Sequence, residues 1–179
     1  MRKWIIPVAI IGVLVLLAIS SYNGLVGVQA DAKTAWSKVE SAYQRRNDLI
    51  DNLVRTVKGS ADFEKSTLEA VVNARAKATS ITIDPTNVTP EQMAQFQQAK
   101  TAEMSSLSRL LVSVEAYPNL KTTDAFKELQ SQIEGTENRI NVARQRYNET
   151  VKEYNSYVRG FFKRFALSLF GGGEDFTVR

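Results

Sequence analysis

The fold is decided by the stretch Ala35-Trp36-Ser37-Lys38-Val39-Glu40-Ser41-Ala42-Tyr43-Gln44-Arg45-Arg46-Asn47-Asp48-Leu49-Ile50-Asp51-Asn52-Leu53-Val54. Two rows of mostly apolar residues run through it. One row repeats every seven residues, at Trp36, Tyr43, Ile50 and Val57. The other has spacings of three and four residues and comprises Leu25, Val28, Ala32, Ala35, Val39, Ala42, Arg46, Leu49 and Leu53. This pattern predicts a helix that packs lengthwise against other helices.

One position in the second row holds a charge. Arg46 stands where the spacing favours an apolar side chain. A buried guanidinium requires a carboxylate or carbonyl partner, so another helix must supply one. If a long helix ending near Lys58 runs antiparallel to one beginning near Asp124, paired residue numbers sum to about 182. This register predicts a structural pair between Arg46 and Glu137. A ligand or partner site at these two residues is the alternative.

The composition excludes several classes of function. The 179-residue chain is long enough for one domain and an accessory segment. It contains neither cysteine nor histidine, which excludes disulfides, thiolate or imidazole metal sites and the triads or dyads that use these side chains. The net charge is +4, with 23 basic and 19 acidic residues interspersed, which does not indicate nucleic-acid binding. We therefore expect no catalytic residues, cofactor, metal or nucleic-acid partner.

The N-terminal segment predicts a membrane anchor. Arg2 and Lys3 are followed by 27 uncharged residues. Positions 4–19 are strongly apolar, positions 20–28 are milder, and a membrane span needs about 20 residues. We therefore predict a transmembrane anchor over residues 1–24 in a single-pass cell-membrane protein. By the positive-inside rule, the two basic residues before the span favour a cytoplasmic N-terminus and a bundle outside the cytoplasm.

A cleaved signal peptide is the alternative interpretation of this segment. Small residues precede two candidate cleavage sites, at Ala18-Ile19-Ser20 and at Val28-Gln29-Ala30. Retention is favoured because Leu25 already belongs to the row that continues through Val39. Cleavage after Ala30 would remove part of that row.

Four helices are predicted for residues 25–160, which makes the protein all-α, with the membrane helix continuing into an antiparallel four-helix bundle. The first helix ends near Lys58, before Gly59. The other predicted limits are 62–81, 89–117 and 124–161, with a loop at 82–88 and a turn at 119–123. Thr89 and Gln92 form a candidate capping box at the start of the third helix. The middle of that helix has a weak apolar face because polar residues such as Lys100 dilute it.

Four blocks of the sequence carry a resemblance to a known family. They are Trp36 to Gly59, Ala74-Arg75-Ala76, Glu115-Ala116-Tyr117-Pro118-Asn119-Leu120-Lys121 and Glu134 to Asn155. Together they resemble the LemA family of small membrane-anchored bacterial proteins over residues 22–165. The resemblance implies an N-terminal membrane helix, an antiparallel helical bundle and no established biochemical activity. Relatives usually have proline where this chain has Asp51, so we predict a straighter first helix here.

The segment after the fourth helix predicts a second membrane contact. Residues 161–179 begin with aromatic and basic residues and end in a glycine run and an acidic tail. The candidate interface residues are Phe161, Phe162, Lys163, Arg164 and Phe165. Aromatic rings favour the membrane interface and cations favour anionic headgroups. The alternative is that the rings cap the end of the bundle. Relatives commonly have proline at the position of Phe162, so the helix can run on here.

Two further groups of residues are interpreted from their positions. Arg45, Arg144 and Arg146 form a candidate face for an acidic partner, and a solvated helix face is the alternative. The aromatic residues at heptad spacing are interpreted as core rather than as a cofactor site, and the register above places Trp36 near Tyr147. They are Trp36, Tyr43, Tyr147, Tyr154 and Tyr157.

These observations favour a non-enzymatic function. We predict a membrane-anchored helical scaffold or adaptor of the bacterial envelope that presents a helical rod to another membrane protein. The family is often encoded near membrane proteases and other envelope proteins, which implies such a partner. The expected partners are membrane lipid and another membrane or envelope protein. Association between copies of the chain is a further alternative. Two other functions stay open: a cleaved, soluble helical ligand carrier, and an enzyme that uses only serine, lysine, arginine and carboxylate groups.

Overall fold

The computed structural model describes residues 5–59, 63–85 and 87–160. These residues form helices joined by short connections and include no strand. The helices are α1 (Ile5–Lys58), α2 (Lys65–Thr79), α3 (Pro90–Val114), α4 (Pro118–Lys121) and α5 (Asp124–Arg159). The predicted all-α class is confirmed, and the candidate membrane segment and the seam of packed residues belong to one helix.

The 54-residue helix α1 ends where the sequence predicts. Its last turn closes when the Gly59 amide donates to the carbonyl of Arg55 at 3.2 Å. The helix is continuous through Asp51, the position at which a proline would have removed a backbone hydrogen bond. The side chain of Asp51 instead accepts from Arg75 on α2, with 2.6 Å between Oδ2 and Nη2.

The start of α3 also follows the prediction. Thr89 Oγ1 accepts from the Gln92 amide at 3.2 Å, and Gln92 Oε1 accepts from the Thr89 amide at 3.0 Å. This reciprocal pair satisfies two backbone donors that the first helical turn leaves without intrahelical partners. Pro90 follows at the first helical position, where the lack of an amide hydrogen has no cost.

Three predicted elements differ from the structure. Helix α2 covers Lys65–Thr79 rather than 62–81, and residues 60–62 are outside the described ranges. Helix α3 ends at Val114 rather than 117, because the next amides bond to carbonyls three residues back, as in a turn. The predicted turn at 119–123 is instead the short helix α4, which Pro118 starts. At the ends of α2 and α3 the local pattern continued beyond the point at which the helix ends.

The described residues divide into two compact units, and α1 and α5 contribute to both. The described part of the first unit is 5–37, 85, 87 and 145–160. In it the rings of Trp36 and Tyr147 lie 5.0 Å apart, and the Tyr157 hydroxyl donates to the Ser21 carbonyl at 2.8 Å. Moving toward the N-terminus of α1 therefore corresponds to moving toward the C-terminus of α5. The two helices are antiparallel in this unit.

The described part of the second unit is 38–59, 63–84 and 88–144. One apolar core draws on every helix that enters this unit. Its buried members are Leu49, Ile50, Leu53, Val57, Leu68, Val71, Leu107, Leu110, Val114, Leu120, Phe126 and Ile133. Burying a side chain of this size stabilises the folded state by about 1.5–3 kcal/mol. In the predicted loop at 82–88, Ile83 and Val88 are also buried.

Candidate functional site

The first candidate feature is the apolar end of α1. Large apolar side chains stand exposed between Ile6 and Ile19, including Ile11 at 60% exposure and Leu16 at 68%. Helix α1 is the one helix in the described residues that is long and apolar enough to cross a membrane. Transferring such a side chain from water to an apolar environment is favourable by about 1.5–3 kcal/mol. A hydrocarbon environment would therefore stabilise this surface.

The second candidate feature is a cluster of charges inside the second unit. Glu103 on α3 is fully buried, at 0% exposure. Its Oε2 atom lies 3.4 Å from Arg46 Nη2 and 3.4 Å from Lys100 Nζ. With its amide nitrogen oriented toward this carboxylate, Asn47 donates to Oε1 at 2.8 Å. One buried carboxylate thus accepts from three buried side chains on two helices.

The structure places the two members of the predicted polar pair together. Arg46 Nη1 lies 3.1 Å from Glu137 Oε2. The Glu137 side chain is 44% exposed, whereas the Arg46 side chain is buried. The guanidinium therefore joins a half-solvated carboxylate on α5 to the buried carboxylate of Glu103 on α3. Sequence reasoning found only the half-solvated partner.

Aromatic rings complete the cluster around these charges. Lys100 Nζ lies 4.8 Å from the centre of the Tyr43 ring, and Arg46 Cζ lies 5.1 Å from it. The edge of Phe96 packs against the same ring, with centroids 5.5 Å apart. Desolvated cation–π contacts of this kind contribute on the order of 2 kcal/mol. The rings therefore stabilise the two cations in addition to the carboxylates.

Burial shifts two pKa values in the cluster. Burial lowers the pKa of Lys100 from its ordinary value, and the adjacent Glu103 carboxylate offsets part of this. Between the lowered pKa and 10.5 the unfolded chain binds a proton that the folded chain does not, so stability rises with pH there. Burial also raises the pKa of the Tyr43 hydroxyl. The contribution of the neutral Tyr43 hydroxyl to the free energy of unfolding is therefore fully present below pH 10, and it is lost as the pH rises through the raised pKa.

The arrangement acts chemically as a set of paired charges. Arg46 and Lys100 balance Glu103 and Glu137, and each of the four side chains forms at least one ion pair within the cluster. Within the residues that the structure describes, no group of three or more acidic side chains is placed to hold a metal. The cluster therefore links α1, α3 and α5 through polar contacts in the second unit.

A buried hydroxyl lies in the first unit, on Tyr147. This residue is 5% exposed, and its hydroxyl has no hydrogen-bond partner within ranges 5–59, 63–85 and 87–160. Burial raises the pKa of Tyr147 to about 12. The neutral form is therefore favoured in the folded chain by packing beside Trp36 rather than by a hydrogen bond.

Replacing Tyr147 with phenylalanine is expected to leave the free energy of unfolding at pH 7 unchanged or raised by up to about 1 kcal/mol, because no hydrogen bond is lost. Above pH 10 the unfolded wild type ionises this hydroxyl before the folded protein does, so the wild type loses stability. At pH 11 the variant should lose about 1 kcal/mol less than the wild type. Urea unfolding at pH 7 and pH 11 measures both differences. If both proteins lost the same free energy of unfolding between pH 7 and pH 11, the raised pKa of Tyr147 would be contradicted.

The other predicted site residues are distributed as follows. Arg45 donates to Gln132 Oε1 at 3.2 Å on the surface of the second unit. Arg144 is exposed in the same unit, and its charge acts on the pKa of Tyr43. Arg146 is exposed in the first unit. The predicted membrane-interface residues Phe161, Phe162, Lys163, Arg164 and Phe165 lie outside the described residues.

Comparison with known proteins identifies one family. A sequence model of the LemA family matches residues 35–176. Protein LemA of Metamycoplasma hominis is 24% identical over 152 residues, which covers 85% of this chain and 66% of that protein. Magnetosome protein MamQ of Magnetospirillum gryphiswaldense and magnetosome protein MamQ 2 of Paramagnetospirillum magneticum are each 25% identical over 153 residues. Those alignments cover 75% of this chain and 56% of each relative. The chain thus spans less than two thirds of the length of these curated relatives.

Proposed function

The chain belongs to the LemA family, and from this premise we propose that it is a membrane-anchored, non-enzymatic scaffold or adaptor of the bacterial envelope. The observation that carries the proposal is the position of the exposed apolar surface. Large apolar side chains between Ile6 and Ile19 are exposed on the same helix whose later turns supply Leu49, Ile50 and Leu53 to a buried core. The apolar segment and the turns that pack in the core therefore belong to one continuous helix.

The buried charges support a structural role more than a catalytic one. Glu103 and Arg46 are buried and paired with each other, so neither presents a free group to a substrate. The surface of the second unit is mostly helical and carries exposed charged residues of both signs, with exposed valines such as Val112 among them. Such a surface suits contact with another protein. We propose a second membrane or envelope protein as that partner.

Retention of the N-terminal segment is part of the proposal. Leu25 is buried and Gly24 contacts Tyr157. Cleavage after Ala30 would remove both packing contacts, and cleavage after Ser20 would leave them. The ligand-carrier alternative requires one of these cleavages. The mass of the mature protein distinguishes the three outcomes.

Two matched substitutions test the anchor. An arginine at the centre of a span costs about 2.5–3.5 kcal/mol, so Val13→Arg is expected to move a large part of the chain out of carbonate-washed membranes. Val26→Arg places the same charge on the same helix, where α5 already packs, and should leave the membrane fraction unchanged. Val13 and Val26 are both exposed apolar residues. Equal retention of the two variants, or a wild type in the soluble fraction, would contradict anchoring.

The same membranes test orientation and the adaptor role. With the N-terminus in the cytoplasm, protease added to spheroplasts should degrade the bundle, and an intact bundle would contradict this orientation. Crosslinking of intact membranes should join the wild type to one other envelope protein reproducibly. The soluble Val13→Arg fraction serves as the control that should lack this adduct. Recovery of crosslinks only between copies of the chain would contradict the adaptor role.

A further inference from the structure

The sequence leaves one edge of the membrane span undetermined. The 27 uncharged residues that follow Lys3 would extend about 40 Å as a helix, whereas the hydrocarbon layer is about 30 Å thick. Several placements of the span are therefore compatible with the sequence. A structural marker is needed to choose between them.

Tyr157 on α5 supplies this marker. Its hydroxyl donates to the backbone carbonyl of Ser21 at 2.8 Å. A Cβ atom on Gly24 would overlap the same hydroxyl oxygen and would lie 2.7 Å from Cζ of the ring. The ring thus occupies space that only glycine leaves on α1. We call this contact the Tyr157–Gly24 lock.

Charged residues lie beside α1 at and after the lock. Glu149, Lys152 and Glu153 on α5 line a groove of about 540 Å³ together with Val28 and Tyr157. Charged side chains on the outer surface of a helix are costly within hydrocarbon. The turns of α1 around Val28 therefore belong on the water side of the boundary. Before the lock, α1 presents the exposed apolar surface described above.

We infer that the hydrocarbon layer ends at Ser21–Gly24 and that the lock holds the C-terminal end of α5 at the lipid headgroups. This inference rests on the proposed membrane anchoring. The 17 residues from Ile5 to Ser21 extend about 26 Å, near the lower limit for a span. Tyr22 and Tyr157 then lie at the interface, where tyrosine is favoured.

The same geometry identifies the chemistry of the surface contact. Helix α5 runs toward the span, and Arg159 is two residues beyond Tyr157, so it lies about 3 Å closer to the membrane along the helix axis. Arg159 is exposed. A cation at this depth is attracted to anionic lipid headgroups. The expected lipid partner is therefore an anionic phospholipid.

Cysteine labelling tests the boundary in the full chain, which has no natural cysteine. Leu16→Cys and Val26→Cys are compared in open membranes with a water-soluble maleimide on both sides. Val26→Cys should react at least tenfold faster than Leu16→Cys. Slow reaction at both positions would overturn the boundary while leaving the anchor intact. Fast reaction at both would overturn the anchor and, with it, this inference.

A spin label tests the lock. A nitroxide on Ser156→Cys is measured in vesicles of phosphatidylcholine with phosphatidylglycerol that carry a nickel-chelating headgroup. Relaxation of the label by nickel should fall severalfold when Gly24→Ala is added, and stay unchanged with Gly27→Ala, because a Cβ on Gly27 meets nothing within 4 Å. Tyr157→Phe, which removes only the hydroxyl, should give an intermediate fall. No nickel effect in any variant, or equal effects of the two alanines, would overturn the inference.

Discussion

Replacing Glu103 with alanine is expected to lower the free energy of unfolding by about 3–5 kcal/mol, the usual cost of removing one partner from a buried ion pair. The substitution leaves the buried side chains of Arg46 and Lys100 without the carboxylate that lies 3.4 Å from each. It also removes the acceptor of the Asn47 amide. Urea unfolding of the full chain in detergent micelles, followed by circular dichroism, measures the change.

Glu137→Ala is the matched control for this prediction. It removes a carboxylate that contacts the same arginine, but the Glu137 side chain is 44% exposed and Arg46 keeps Glu103. Its expected cost is about 1 kcal/mol, because solvent screens the lost charge and rehydrates the site. From the sequence alone, Glu137→Ala is expected to lower the free energy of unfolding by about 3 kcal/mol, because Glu137 is then the sole predicted partner of a buried guanidinium. Equal losses of unfolding free energy in Glu103→Ala and Glu137→Ala would show that the deeper burial of Glu103 does not make it the more important carboxylate for stability.

Helix packing was predictable where one helix carried an unbroken apolar pattern. The rows through Trp36 and Arg46 predicted which face of α1 packs against other helices. The equal rise per residue of two long antiparallel helices predicted the contact of Arg46 with Glu137. These deductions need only local periodicity and one antiparallel register. They therefore do not depend on knowing where the remaining helices lie.

The position of Glu103 was not predicted, although its spacing carried a signal. Phe96, Ala99, Glu103, Leu107, Leu110 and Val114 follow one another at intervals of three or four. Glu103 thus occupies a seam position on α3, as Arg46 does on α1. Neighbouring polar residues such as Lys100 made this stretch look solvated. Periodicity cannot assign a partner to a buried charge when three helices are available, because that depends on distances between helices.

The lock between Tyr157 and Gly24 was equally beyond local reasoning. Gly24 lies in a long uncharged stretch in which a glycine can serve several purposes. Its role follows from the tyrosine that α5 brings against it from 133 positions later in the chain. The helix limits failed for a different reason, since single hydrogen bonds decide where α2 and α3 end.

Removing the whole charge cluster is expected to recover the stability that Glu103→Ala loses. In the triple variant Arg46→Met, Lys100→Met and Glu103→Leu, no charge is left unpaired in the interior. Buried ion pairs that are replaced by apolar side chains of similar volume often leave stability unchanged or raise it by about 1–4 kcal/mol. The free energy of unfolding should therefore equal or exceed that of the wild type.

Two surrounding groups tolerate this replacement. Asn47 keeps the carbonyl of Tyr43 as an acceptor at 3.3 Å, and Glu137 is exposed enough to be solvated. The rings of Tyr43 and Phe96 then pack against methionine side chains instead of cations. A triple variant as unstable as Glu103→Ala would contradict this account. It would show that stranded cations do not cause the loss, because the triple variant buries no cation and fills position 103 with leucine.

The comparison of the triple variant with the wild type also separates stability from specificity. If the charges determine which helices pack together, the triple variant should show faster amide hydrogen exchange than the wild type in the second unit, or more than one set of NMR resonances there. This is expected even if the triple variant is as stable as the wild type. Arg46 pairs with carboxylates from both α3 and α5, whereas a methionine packs in several registers. A triple variant that is both more stable and as uniquely folded as the wild type would contradict a register role.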